Sequence, residues 1–257
     1  MYGYEKVAKN LVEFLKNEVS VRGFNKVVFG LSGGLDSAVV AKLCVLAFGE
    51  NAKALLMPHK QSNPHNLKDA LELCKNLNLD YEILPLELPQ NAFEKLLKNL
   101  DSNLIRLGNL CARMRMICLY DYAFVNNALV IGTSNKSEIL LGYGTIFGDL
   151  ASAINPLGDL YKSDIFKLAR ILEIPQNIIN KAPSADFFEG QSDEGELGFS
   201  YEILDSIMRL LENGVDDELI LQKGFSKDAL ELVKRRIKQN AFKRELPQIA
   251  VLESIEG

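Results

Sequence analysis

The stretch from Val27 to Ala41, VVFGLSGGLDSAVVA, constrains this chain more than any other. An apolar run, Val27 to Phe29, meets a turn of Gly30, Leu31, Ser32, Gly33 and Gly34, and Leu35, Asp36 and Ser37 then open a second apolar run. The first run suits a strand and the second a helix packed on a sheet, so the pattern reads strand, loop, helix. Gly33 and Gly34 let backbone amides approach an anion with no Cβ in the way, and a new helix presents unpaired N–H groups in the same direction. Ser32 and Ser37 add hydroxyls. Asp36 is the odd member, because a carboxylate beside a phosphate is repelled unless a cation lies between them. The loop therefore points to metal-bound phosphate.

A glycine turn between strand and helix also occurs where a chain only has to reverse tightly. Two other phosphate loops are absent, since no GxGxxG is present and no Gly-Lys-Ser/Thr closes the turn. What stands is Ser32-Gly33-Gly34-Leu35-Asp36-Ser37, which resembles the pyrophosphatase loop of the N-type ATP-pyrophosphatases, enzymes that cleave ATP between its α- and β-phosphates.

The rest of the chain alternates in the same way. Val7, Leu11, Phe14, Leu15 and Val19 recur at helical spacing and predict an amphipathic helix from Tyr4 to about Val21. Ala52 to Met57, Tyr81 to Leu84 and Ala128 to Ile131 read as further strands, with helices predicted over Leu67 to Leu77, Phe93 to Leu100 and Asn109 to Val125 and a polar break at Asp101 to Asn103. Strands separated by helices imply an α/β fold, an open parallel sheet with helices on both faces. Gly132 to Asp159 breaks the rhythm and is expected as a functional loop. Leu160 to Leu172 returns to helical spacing, Lys181 to Ser192 is again non-periodic, and Asp193 with Glu196 has the spacing of a capping box. Helices are expected from Tyr201 onward. Length favours one unit, 1–257, with an N-terminal helical part, 1–26, and a C-terminal helical region, 199–257.

Composition excludes some functions. A formal net charge of −5 gives no general electrostatic reason to hold nucleic acid. No stretch is apolar over enough residues to cross a bilayer, and Glu5, Glu13 and Glu18 make the N-terminal segment a poor secretory signal, so the expected address is the cytoplasm. Cys44, Cys74, Cys111 and Cys118 form no CxxC pair and read as buried thiols. His59 and His65 flank a loop at a strand end and read as ordinary loop histidines, and a place for His59 near adenine is left open as the alternative that sequence does not rank.

Thr133, Lys136 and Glu138 follow a strand end, on the glycine loop's side of the sheet if the strands run parallel. Glu138 is then a candidate second carboxylate on a magnesium ion opposite Asp36, although a glutamate taken alone is most simply a surface residue. Lys162, near a helix start, sits where the helix dipole disfavours a cation, and a phosphate would remove that conflict. Arg113 and Arg115, two apart on a helix, cannot face the same way, so one is free to read an anionic ligand while the other pairs locally.

Across nearly its full length the chain resembles the ammonia-dependent NAD synthetases. The motifs that carry the resemblance are GLSGGLDS (Gly30 to Ser37), Asn109 with ARMRM, GTSNKSE (Gly132 to Glu138), Gly148-Asp149, Asn155-Pro156-Leu157 followed by Lys162, KAPSAD (Lys181 to Asp186), Asp193-Glu194 before Leu197-Gly198, and Lys243-Arg244 with Pro247. The resemblance implies an adenine nucleotide alpha hydrolase-like fold and an ATP-dependent amidation of deamido-NAD by free ammonia, since no glutaminase segment is attached. It implies that Gly30 to Ser37, Thr133, Lys162 and Ser184 contact ATP, and that Asp36 and Glu138 hold Mg2+. It further implies that Arg113, Asn109, Asp149 and Lys243 contact deamido-NAD, that Asp36, Lys162 and Asp149 serve catalysis, and that the protein is a homodimer. Five positions depart from the family pattern: Ser184 replaces a threonine, Ile146 and Ala153 replace a lysine and an aspartate, and Asn135 and Phe242 stand where many relatives have histidine. The competing readings are another ATP-pyrophosphatase amidotransferase or ligase, including the tRNA-thiolating relatives, and a non-catalytic nucleotide-binding module that retains the glycine loop.

Overall fold

Val27, Val28 and Phe29 are wholly buried in β1, Lys26–Gly30, because both faces of this strand are covered and no side chain has a polar side to point to. The structure, a computed structural model, describes residues 3–97, 103–184 and 192–250. Ahead of β1 lies α1, Tyr4–Val21, as its periodicity predicts. After it come α2 (Leu35–Phe48), β2 (Ala52–Leu56), α3 (Pro64–Leu77), β3 (Asp80–Ile83), α4 (Glu87–Leu96), α5 (Leu104–Asn126) and β4 (Ala128–Val130). The four strands are parallel and lie in the order β3-β2-β1-β4. Val28 of β1 sits between Lys53 of β2 and Val130 of β4. The sheet thus changes winding direction at β1. Loops leaving β1 and β4 diverge there and open a crevice at the carboxyl ends of the strands, where open α/β sheets bind ligands.

Alternation along β1 divides the core. Val27 and Phe29 pack with α1, α2 and α3, whereas Val28 joins Leu107, Cys111 and Met114 of α5 on the other face. The second half of the chain adds α6 (Lys136–Leu141), α7 (Lys162–Ile171), α8 (Gln176–Ile179), α9 (Asp193–Leu197), α10 (Tyr201–Glu212), α11 (Asp217–Gln222) and α12 (Lys227–Gln239). From these, α7 returns to the α1–α2 face of the sheet, while α10 and α12 pack with Leu141 and Tyr161 around a third apolar cluster.

Several boundaries differ from the pattern-based expectation. The helix α5 begins at Leu104 rather than Asn109, because Asn103 caps it and accepts from the Arg106 amide. The predicted Phe93 to Leu100 helix starts earlier, at Glu87, and Pro89 is tolerated in its first turn. The expected loop from Gly132 to Asp159 contains α6, which is too short for apolar periodicity to reveal. Ser192, not Asp193, caps α9 by accepting from the Gly195 amide, which frees Asp193 to turn inward. Lys98 to Leu100 of the expected helix, Asp101 and Ser102 of the polar break, and Ala185 and Asp186 of the KAPSAD motif lie outside the described residues. Cys44, Cys74 and Cys111 are buried and Cys118 is half-buried, and burial pushes all four thiols up, as befits inert packing groups. No helix among the described residues is long and apolar enough to cross a membrane.

Candidate active site

The glycine loop is knit by its own serines. Ser32 Oγ lies 3.0 Å from Ser37 Oγ and accepts from the Gly34 amide, while Ser37 Oγ donates to the Gly34 carbonyl at 3.0 Å. Gly33 takes φ +80°, and a Cβ there would stand 2.1 Å from the Asn66 carbonyl oxygen, so only glycine closes this turn. The Lys181 ammonium then ties the turn to α3, donating to Gly33 O at 3.0 Å and to Asn66 Oδ1 at 2.8 Å, and pairs with Asp69. At the start of α2, Gly34 offers no side-chain cap, which leaves the first amides of that helix for an anion.

A cavity of about 830 Å³ opens over this loop. It is lined by Gly30, Leu31, Ser32, Gly34, Leu35, Asp36 and Ser37, and by Thr133, Glu138, Asp149, Lys162 and Ser184 from later elements. These predicted residues, scattered over half the sequence, therefore meet in one place. His59 is buried at the wall, its Nδ1 3.2 Å from Gln61 Oε1, and His65 is at the exposed edge.

Charge is concentrated on one lysine. The Lys162 ammonium, on a side chain only 4% exposed, donates to Asp36 Oδ2 and to Glu138 Oε1, the latter at 3.3 Å. Its ring neighbour is Tyr201, with the nitrogen 5.7 Å from the ring centre. Burial alone would lower the pKa of Lys162, but the Asp36 and Glu138 carboxylates outweigh it and hold the group protonated. Glu138 keeps 17% of its side chain open to the cavity, and burial on its other sides pushes it up to about 8 against the pull of Lys162.

Asn135 completes this cluster, and pattern reading alone does not single it out. Its Nδ2 donates to Asp36 Oδ1 at 2.9 Å while its Oδ1 accepts from the Glu138 amide at 3.0 Å, and Glu138 Oε2 accepts from the Asn135 amide in return. A signal for it exists in the sequence, since Asn135 and Glu138 have capping-box spacing. Asp193 enters the sequence reading only as part of a motif. It is buried against the cavity, with Oδ2 accepting from the Tyr201 hydroxyl at 3.1 Å, and burial raises its pKa.

The residues expected to contact the dinucleotide are placed differently. Asp149 lines the cavity and accepts from the Thr145 amide at 2.7 Å, and crowding by protein raises its pKa although one side stays open to solvent. Asn109 braces the same turn, accepting from Thr145 Oγ1 at 2.6 Å. Arg113 is exposed outside the cavity wall and donates to Ile146 O at 3.4 Å, whereas Arg115 lines the wall and donates to Met57 O at 3.1 Å. Lys243 donates to the carbonyls of Gly142 at 2.7 Å and Gly144 at 2.9 Å, at the end of α6 and away from the cavity wall.

A parallel sheet that turns through a serine–glycine loop into a helix, with two carboxylates and a lysine over that loop, is an α/β arrangement suited to a phosphate-bearing ligand. The family profile for NAD synthase matches residues 7–247. The NH(3)-dependent NAD(+) synthetase of Wolinella succinogenes is 54% identical over 95% of this chain and 95% of its own. Among solved structures, the NH3-dependent NAD synthetase of Campylobacter jejuni, in complex with the nitrate ion, superposes with a TM-score of 0.83 at 44% identity, covering 97% of this chain and 100% of that chain. The NMN synthetase of Francisella tularensis superposes with a TM-score of 0.87 at 34% identity, covering 98% of this chain and 100% of that chain. This chain belongs to the NAD synthase family.

Proposed function

We propose that this protein is an ammonia-dependent NAD synthetase, which amidates deamido-NAD with ammonia as ATP is cleaved to AMP and pyrophosphate. The observation that carries the reading is the meeting of Asp36, Glu138 and Lys162 over an uncapped, glycine-rich helix start in a chain of this family. A nicotinate carboxylate resists ammonia because its charge repels nucleophiles and an oxide would have to leave. Adenylation removes both obstacles: the carboxylate attacks the α-phosphorus of ATP, pyrophosphate leaves, ammonia adds to the acyl-adenylate, and AMP departs.

The α2 amides and the hydroxyls of Ser32 and Ser37 receive the phosphates, and the Lys162 ammonium offsets charge that develops as pyrophosphate leaves. Asp36 and Glu138 supply hard carboxylate oxygens side by side on the cavity, the donors that magnesium takes together with phosphate oxygens and water. When bound there, the ion would neutralise phosphate charge. Thr133 and Ser184 offer hydroxyls to the nucleotide, and Asp149, with Arg113, Asn109 and Lys243 beyond the wall, forms the acceptor side. Asp149 orients the acceptor or takes the proton that ammonium must shed.

The face of α5 on which Ile117, Tyr120 and Phe124 are exposed fits a homodimer contact, and the cytoplasm is the proposed compartment. One neighbour favours a second acceptor, because the chain superposes well on an NMN synthetase. The test incubates the pure protein with ATP, magnesium and either ammonium or glutamine, supplying deamido-NAD or nicotinate mononucleotide. NAD formed from ammonium with stoichiometric AMP and pyrophosphate supports the proposal. Amidation of the mononucleotide alone would replace the acceptor, and ATP binding with no pyrophosphate release would favour a non-catalytic module.

A further inference from the structure

The lysine at the centre of the site stands at the first position of α7, and that helix lacks a cap of its own. Tyr161, at the N-cap, makes no side-chain capping bond. Its first two amides are satisfied through space instead. Lys162 N donates to Ser137 Oγ at 2.9 Å, Ser137 Oγ donates to Asp205 Oδ1 at 2.5 Å, and Ser163 N donates to Asp205 Oδ2 at 2.8 Å. Asp205 belongs to α10 and is 1% exposed, so a single buried carboxylate from the C-terminal helices binds the starts of both α6 and α7. Those two helix starts carry Glu138 and Lys162. A cation at the first position of a helix is repelled by the helix dipole, and a carboxylate at that same end counters the repulsion.

Resting on the reading of the reaction given above, we infer that Asp205 is a positioning residue for ATP cleavage: it fixes Lys162 and Glu138 relative to Asp36 without touching substrate. A group that only filled the core would need neither two ordered acceptor contacts nor a serine relay. Supporting groups that hold a site's ligands typically change its performance by about 10- to 100-fold when altered.

Asp205→Asn keeps the volume but exchanges one acceptor oxygen for a donor, so it cannot accept from both Ser137 and Ser163. In the full-length chain, rapid mixing with ATP, magnesium and deamido-NAD reads the pyrophosphate burst. The expected result is a burst of full amplitude slowed about 10- to 100-fold, with the KM for ammonium unchanged because ammonia acts after adenylation. In the ligand-free protein, the Lys162 ammonium resonance in 1H–15N spectra is expected to shift or broaden. A carboxylate with a purely structural role would instead lower the burst amplitude at an unchanged rate and leave the resonance in place. That pattern, or no change in either reading, overturns the inference. If Asp205→Asn folds poorly, Ser137→Ala breaks only the relay to Lys162 and is expected to slow the burst in the same direction by a smaller factor. Absence of a burst in the wild-type chain would count against the reaction, while the Lys162 resonance still decides the place of Asp205.

Discussion

A lysine buried between two carboxylates is stable only because its partners are buried with it, and this fixes what single substitutions do. Lys162→Ala leaves Asp36 and Glu138 facing each other without a cation. Adenylation is expected to fall by about 10²- to 10³-fold, the range for loss of one preorganised electrostatic donor, as measured by pyrophosphate release at saturating ATP. Glu138 allows a pH prediction. Its folded pKa of about 8 lies above the ordinary value of 4.5, so between those limits the folded protein binds more protons than the unfolded chain. Stability of the ligand-free protein is therefore expected to fall as pH rises through that window. Glu138→Gln should flatten the fall, and urea midpoints taken across the window would show it. An equally steep decline in the variant would assign the effect to Asp193 and Asp205, whose burial raises their pKa values in the same direction.

Among the elements, the glycine loop and α6 do the positioning. Gly33→Ala places a methyl group at φ +80° against the Asn66 carbonyl, so the turn must shift away from α3. A loss of roughly tenfold or more in ATP affinity is expected, since left-handed backbone alone costs a side chain about 1 kcal/mol or more. Calorimetric titration with ATP reads it directly. The helix α6 holds Glu138 through a reciprocal box with Asn135, and Asn135 also donates to Asp36. Asn135→Ala is expected to loosen both carboxylates together and to raise the magnesium concentration needed for half-maximal rate by about 10-fold, in the range for outer-shell partners.

Across the whole molecule, Ile117, Tyr120 and Phe124 lie exposed on one face of α5, Phe124 to 90%. If this face is the dimer contact, light scattering will find a two-chain species, and Ile117→Asp will weaken it by about 30-fold or more, as a central interface residue does. A single cooperative thermal transition would agree with one unit spanning 1–257. The order of strands and helices, the glycine loop, and the candidacy of Asp36, Glu138 and Lys162 can be read in the sequence, because local periodicity and a compact motif are short-range properties. Asn135 and Asp193 are harder to see, and Asp205 is invisible there, since their roles rest on partners that only folding brings near. Asn135 meets Asp36 across 99 residues of chain, and Asp205 meets Ser137 across 68. Whether Arg113 or Arg115 faces the cavity, and which element caps α7, is likewise decided by packing. A helix fixes which residues share a face, but the tertiary structure alone decides what that face meets.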